Sequence, residues 1–132
     1  MPRSLLLLLS ESEVAAVEPT GSGLRVRFSA ACVRQSPPGG EGAPVQGYSQ
    51  GLVLELPQAR VIEDTRPLMG RLVDGRLEVA GQWRRDLPLP FAAGAPVRLH
   101  LAFAHRGTWT GEAADVRIDF EGPENFRESL AC

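Results

Sequence analysis

The sequence predicts a single all-β domain spanning residues 1–132. The expected architecture is an antiparallel β-sandwich or β-barrel of about seven to nine strands, with a short C-terminal helix. Two local observations and one global one lead there. Short apolar runs alternate with a period of two, as half-buried strands do. Turn residues punctuate these runs at short intervals, the pattern of an all-β fold. The apolar fraction of 43% and charged fraction of 23% are those of an ordinary globular chain, and 132 residues suffice to bury a core.

The first run is the five leucines Leu5–Leu9, followed at once by Ser10, Glu11, Ser12 and Glu13. The stretch is too short for a secretory signal and ends in carboxylates where the apolar core should continue. It is far below the roughly 18 apolar residues of a membrane span. A strand buried on both faces remains, and with it a cytoplasmic location, reduced cysteines and no membrane partner. "LRVRFSAACV" follows, placing Leu24, Val26, Phe28, Ala30 and Cys32 on one face and Arg25, Arg27 and Ser29 on the other. "TGSG" at Thr20–Gly23 is turn chemistry that would pair "EVAAVE" with it as a hairpin.

Ser36–Gly47 holds three prolines and four glycines in twelve residues and reads as a long loop, either a floppy excursion or a partner-binding flap. Gly51–Leu56 and Ala59–Glu63 read as strands bent apart at Pro57. In "GRLVDGRLEVAG", Asp74–Gly75 is the strongest two-residue hairpin signal of the chain. It would set Leu72 against Leu77 and Arg71 against Glu78. "DLPLPF", with Pro88 and Pro90, suits a sheet edge. "VRLHLAF" turns Val97, Leu99, Leu101 and Phe103 inward and Arg98 and His100 outward. A three-residue loop at His105–Gly107 with Gly107 left-handed would oppose Phe103 to Trp109 and His100 to Glu112. The parity change between Trp109 and Val116, Ile118 and Phe120 requires a bulge or break near Gly111–Asp115. Pro123, Glu124, and the four-residue spacing of Phe126 and Leu130 suggest the closing helix.

Function classes narrow by elimination. The net charge is −2 and every basic residue is a scattered arginine, as a GC-rich genome would encode, so a nucleic-acid partner is not expected. Cys32 and Cys132 are too dispersed for a disulfide framework or zinc site, and spacing alone does not decide whether the two form a single bridge. Ser49 in "GYSQG" has the spacing of a nucleophile elbow, yet a strand follows it where that motif needs a helix. A His100–Glu112 pair could act as a base and its orienter, but nothing nucleophilic stands against it. Adding Asp119 would not complete a metal site, because the predicted break leaves its facing undefined. Catalytic residues, metal and cofactor are therefore none. The leading expectation is a non-enzymatic protein-interaction module that binds a protein partner or self-associates. The alternative is a small-molecule-binding barrel or enzyme whose ligand meets His100, Glu112, Trp109 and Tyr48. One test separates strand from leader at the N-terminus: Leu7→Asp should abolish folding by circular dichroism, whereas a cleaved leader would leave the domain intact.

Overall fold

A computed structural model describes residues 4–37, 42–65 and 68–129. Fourteen antiparallel strands are described, more than the seven to nine expected, and they form one continuous open sheet. In chain order they are β1 (Ser4–Leu8), β2 (Glu13–Thr20), β3 (Gly23–Ser36), β4 (Val45–Ser49), β5 (Leu52–Pro57), β6 (Arg60–Thr65) and β7 (Gly70–Val79). Then come β8 (Gln82–Arg84), β9 (Asp86–Leu89), β10 (Phe91–Ala93), β11 (Val97–Phe103), β12 (Thr108–Ala113), β13 (Val116–Phe120) and β14 (Arg127–Glu128). The main path runs β10-β13-β5-β3-β2-β7-β11-β12-β6. It branches because β3 is long. Its first half pairs with β2 and β5, and its second half with β1 and β4. No helix among the described residues is long and apolar enough to cross a membrane.

The leucine run forms β1, held between β3 and β9. Leu5 and Leu7 are fully buried while Leu6 and Leu8 are half-buried, so one face is covered more completely than the other. Leu9, itself buried, then enters a single 3-10 turn, Leu9–Glu11, whose Glu11 is exposed. The buried flanks of the turn must satisfy their backbone groups within the protein, and Ser12 does much of this. Its Oγ donates to the Leu8 carbonyl at 2.8 Å and accepts from the Cys32 N–H at 2.9 Å. Its N–H donates to the Leu9 carbonyl at 3.2 Å, and its carbonyl accepts from the Leu72 N–H at 2.9 Å. One buried serine thus ties β1, β3 and β7 together.

The β2–β3 hairpin forms as read, with Thr20 opposite Gly23. Its alternation holds through Val26 and Phe28; beyond them Ala31, Cys32 and Val33 are all buried, because β3 has passed into its second set of partners. Cys32 is also in a disulfide, contrary to the expected free thiol, and the chain's other cysteine, Cys132, lies outside the described residues. The expected loop at Ser36–Gly47 is shorter at both ends. Ser36 belongs to β3 and Val45–Gly47 to β4, while residues 38–41 lie outside the described set. The expected bend falls one residue later than read, since β5 ends on Pro57 itself and β6 begins at Arg60, and β9 and β10 occupy edges, each pairing with one strand among the described residues.

Two expected elements are corrected. Asp74–Gly75 is not a turn but the middle of the continuous strand β7. A Cβ on Gly75 would stand 3.0 Å from Leu9 Cβ, so glycine is there to let the 3-10 turn, with its buried Leu9, lie against the strand. Ser10 Oγ reaches both the N–H and the carbonyl of Gly75 at 3.3 Å. The hairpin turn falls instead at Ala80–Gly81, where φ is 50° and 86°, joining β7 to β8. Arg71 and Glu78, expected to face each other, therefore lie along one strand. Among the described residues the C-terminal helix is also absent: residues 124–126 are irregular and Arg127–Glu128 extend against β4. Asn125 explains the preference. Its Oδ1 accepts from Gln50 N–H at 2.7 Å, its Nδ2 donates to Gln50 carbonyl at 2.6 Å, and its own carbonyl accepts from buried Ser49 Oγ at 2.5 Å. Pairing with an available strand outweighs one or two turns of marginal helix. Leu130, the helix's expected contact, lies outside the described residues.

Ser12→Ala removes the hydroxyl from the crossing and leaves the buried Cys32 N–H without that acceptor. Urea unfolding should show a loss of about 2–4 kcal/mol, on the order of one or two unsatisfied buried groups.

Candidate functional site

The outer face of β8–β7–β11–β12–β6 is set by strand register. Directly paired residues share a face, so the pairings Glu78–Trp83, Arg98–Glu78, Arg98–Glu112 and Glu112–Arg60 make one row across five strands. The row reads Trp83, Glu78, Arg98, Glu112, Arg60: an aromatic followed by charges of alternating sign. A second row runs Arg76, His100, Thr110, Glu63. At the usual strand spacing of about 4.8 Å, five strands present a face roughly 19 Å wide.

Neighbours on this face are partly paired within the chain. Arg98 meets Glu112 at 3.3 Å, Thr108 Oγ1 donates to Glu63 at 2.6 Å, and His100 Nδ1 lies 2.9 Å from Thr110 Oγ1. Asp74 stands 3.5 Å from Arg85 and 3.9 Å from Arg76. Arg76 places its guanidinium 4.6 Å from the centre of the Trp83 ring, a cation–π stack that holds the indole while leaving Trp83 45% exposed. The relief is shallow. A depression of about 330 Å³ beside the Ala80–Gly81 turn is lined by Glu78, Pro96, Arg98 and Glu112, among others.

The four residues expected to meet a ligand are dispersed. His100 and Glu112 share the outer face but are not opposite one another: His100 faces Thr110, and Glu112 faces Arg98. The register differs because the loop is Ala104–Arg106, with Arg106 at φ 79° and Phe103 N–H bonded to the Gly107 carbonyl at 2.8 Å. Gly107 is buried at the start of the returning segment rather than serving as the left-handed turn residue. Trp109 points into the core and is 1% exposed. Tyr48 sits on β4 between Cys32 of β3 and Arg127 of β14, away from the His100 face. His105, in the tight loop, is exposed yet bonds through Nε2 to the Met69 carbonyl and stacks on Phe103 with ring centres 5.7 Å apart. Asp119 lies on β13, and no group of three or more His, Cys, Asp or Glu suited to a metal ion occurs among the described residues.

Trp83 is the site residue that sequence reading missed. Its signal was present in "QWRRD", an aromatic beside charged residues. Placing the turn at Asp74–Gly75 left the segment without a partner strand. No protein-family model, curated protein or solved structure matches this chain.

The inward course of Trp109 depends on one glycine. A Cβ on Gly111 would lie 2.3 Å from the Trp109 ring, so the indole folds over bare backbone. Gly111→Ala should cost about 1–3 kcal/mol by overpacking. In a Trp83→Phe background, where only Trp109 emits, its fluorescence should shift to the red.

Proposed function

We propose that this chain is a non-enzymatic protein-interaction module that docks through the outer face of β8–β7–β11–β12–β6. The observation that carries the reading is Trp83, an exposed indole already ordered by Arg76. Tryptophan and arginine are the residue types enriched at binding hot spots, and a pre-ordered side chain loses less freedom on docking. The mixed charge of the rows suits a protein surface better than a nucleic-acid backbone, which calls for a basic stripe. The small-molecule or enzymatic alternative has weaker support: His100 and Glu112 face other partners, and Trp109 belongs to the core.

A cytoplasmic location, expected from the leucine run, meets one opposing observation. Cys32 is in a disulfide, and such bonds persist chiefly in oxidising compartments.

The test is capture from native lysate on immobilised full-length chain, comparing wild type with Trp83→Ala. The variant should keep its thermal unfolding midpoint, since the residue is half in solvent. It should hold its specific partner at least about tenfold more weakly. An unchanged set of bound proteins, retained as tightly, would overturn the reading.

A further inference from the structure

The geometry points to a second copy of this chain as the partner on that face, related by a two-fold axis parallel to the strands and passing between β11 and β12. The inference rests on the face being a protein-docking surface and adds what occupies it.

The argument is the order of charges. The row Glu78, Arg98, Glu112, Arg60 reads minus, plus, minus, plus across β7, β11, β12 and β6. A face-to-face copy turned about such an axis presents the same row reversed. Every charge then meets its opposite: Glu78 faces the other copy's Arg60, and Arg98 faces its Glu112. The second row obeys the same rule independently. Arg76 meets the other copy's Glu63, and His100 meets its Thr110, a pair that already bonds within one chain at 2.9 Å. Neither row was chosen to match the other, yet one axis satisfies both.

The alternatives are disfavoured by like charges. Moving the axis onto β11 sets Arg98 against Arg98 and Glu78 against Glu112. Moving it onto β12 sets Glu112 against Glu112 and Arg98 against Arg60. Axes between strands avoid that repulsion, and of these only the one between β11 and β12 opposes all four charges of the row and also sets Arg76 against Glu63, so the pattern favours one register as well as permitting contact. Packed sheets stay within about 30° of alignment, which keeps rows opposed near the axis. Trp83 lies one strand beyond Glu78 and so overhangs the β6 edge of the other copy. That edge carries Ile62, 46% accessible, at the β6 bulge between Val61 and Glu63. A face roughly 19 Å wide is at the small end for stable association, so the dimer is weak and salt-sensitive.

The experiment is sedimentation equilibrium on the full chain over a wide concentration range, with charge exchange at Arg60 and Glu78. These residues are three strands apart within one chain, about 14 Å, and meet only between copies. Wild type should dimerise, less tightly as NaCl is raised. Arg60→Glu and Glu78→Arg should each weaken dimerisation about tenfold or more, and the R60E/E78R double variant should recover most of that loss. Each single change also puts a like charge beside Glu112 or Arg98 in the same chain, which the double variant does not relieve. Recovery must therefore come from the opposing copy. Circular dichroism checks that each variant is folded. Wild type that stays monomeric into the millimolar range, or a double variant no better than the singles, would overturn the inference. A monomer that still captures another protein through Trp83 would overturn it while leaving the docking reading intact.

Discussion

The fold depends on how the chain turns at the margin of its own core. Between β1 and β2 the backbone makes a 3-10 turn bracketed by the buried Leu9 and Ser12, and polar backbone groups at those buried positions must find partners within the protein. Ser12 answers that constraint with four hydrogen bonds, two from its hydroxyl and two from its backbone, reaching β1, β3 and β7. Around it Leu7, Leu9 and Leu72 belong to one core cluster with residues of β2, β3, β5, β9, β11, β12 and β13. The apolar cluster supplies the burial energy, and Ser12 sets where the turn sits within it.

The same crossing positions the outer face. Because the turn lies on β7 at Gly75, β7 runs unbroken from Gly70 to Val79 and carries Arg76 and Glu78 beside β11. The hairpin is displaced to Ala80–Gly81, and β8 then delivers Trp83 across from Glu78. Inward residues of β11 and β12, including Leu99, Leu101 and Trp109, are buried in the core. Outward residues alternate in charge. The ions on this face gain little stability individually, as exposed pairs do. Their order carries more information than their strength.

Much of the fold was legible in local pattern. Alternation in "VRLHLAF" identified every inward residue of β11, and the turn at "TGSG" paired β2 with β3. The parity conflict between Trp109 and Val116 located a real break, since β12 ends at Ala113 and β13 begins at Val116. Prolines placed β9 and β10 at edges. The site was legible only in part. His100 and Glu112 were assigned to the outer face, but a one-residue error in the loop shifted their partners by two. Trp109 was given to a ligand because sequence does not show that Gly111 leaves room for its ring to lie inward.

By itself the sequence determined what period two and turn chemistry encode: an all-β antiparallel chain, most strand positions, and which side chains of a strand share a face. These follow from the geometry of a residue and its near neighbours. Tertiary structure alone decided whether a glycine marked a turn or a close approach, as at Gly75. It also decided which strand the C-terminal segment would join instead of coiling, and which charges came to stand in one row. Those outcomes turn on residues tens of positions apart, where each choice depends on space and hydrogen-bonding groups that another segment leaves open.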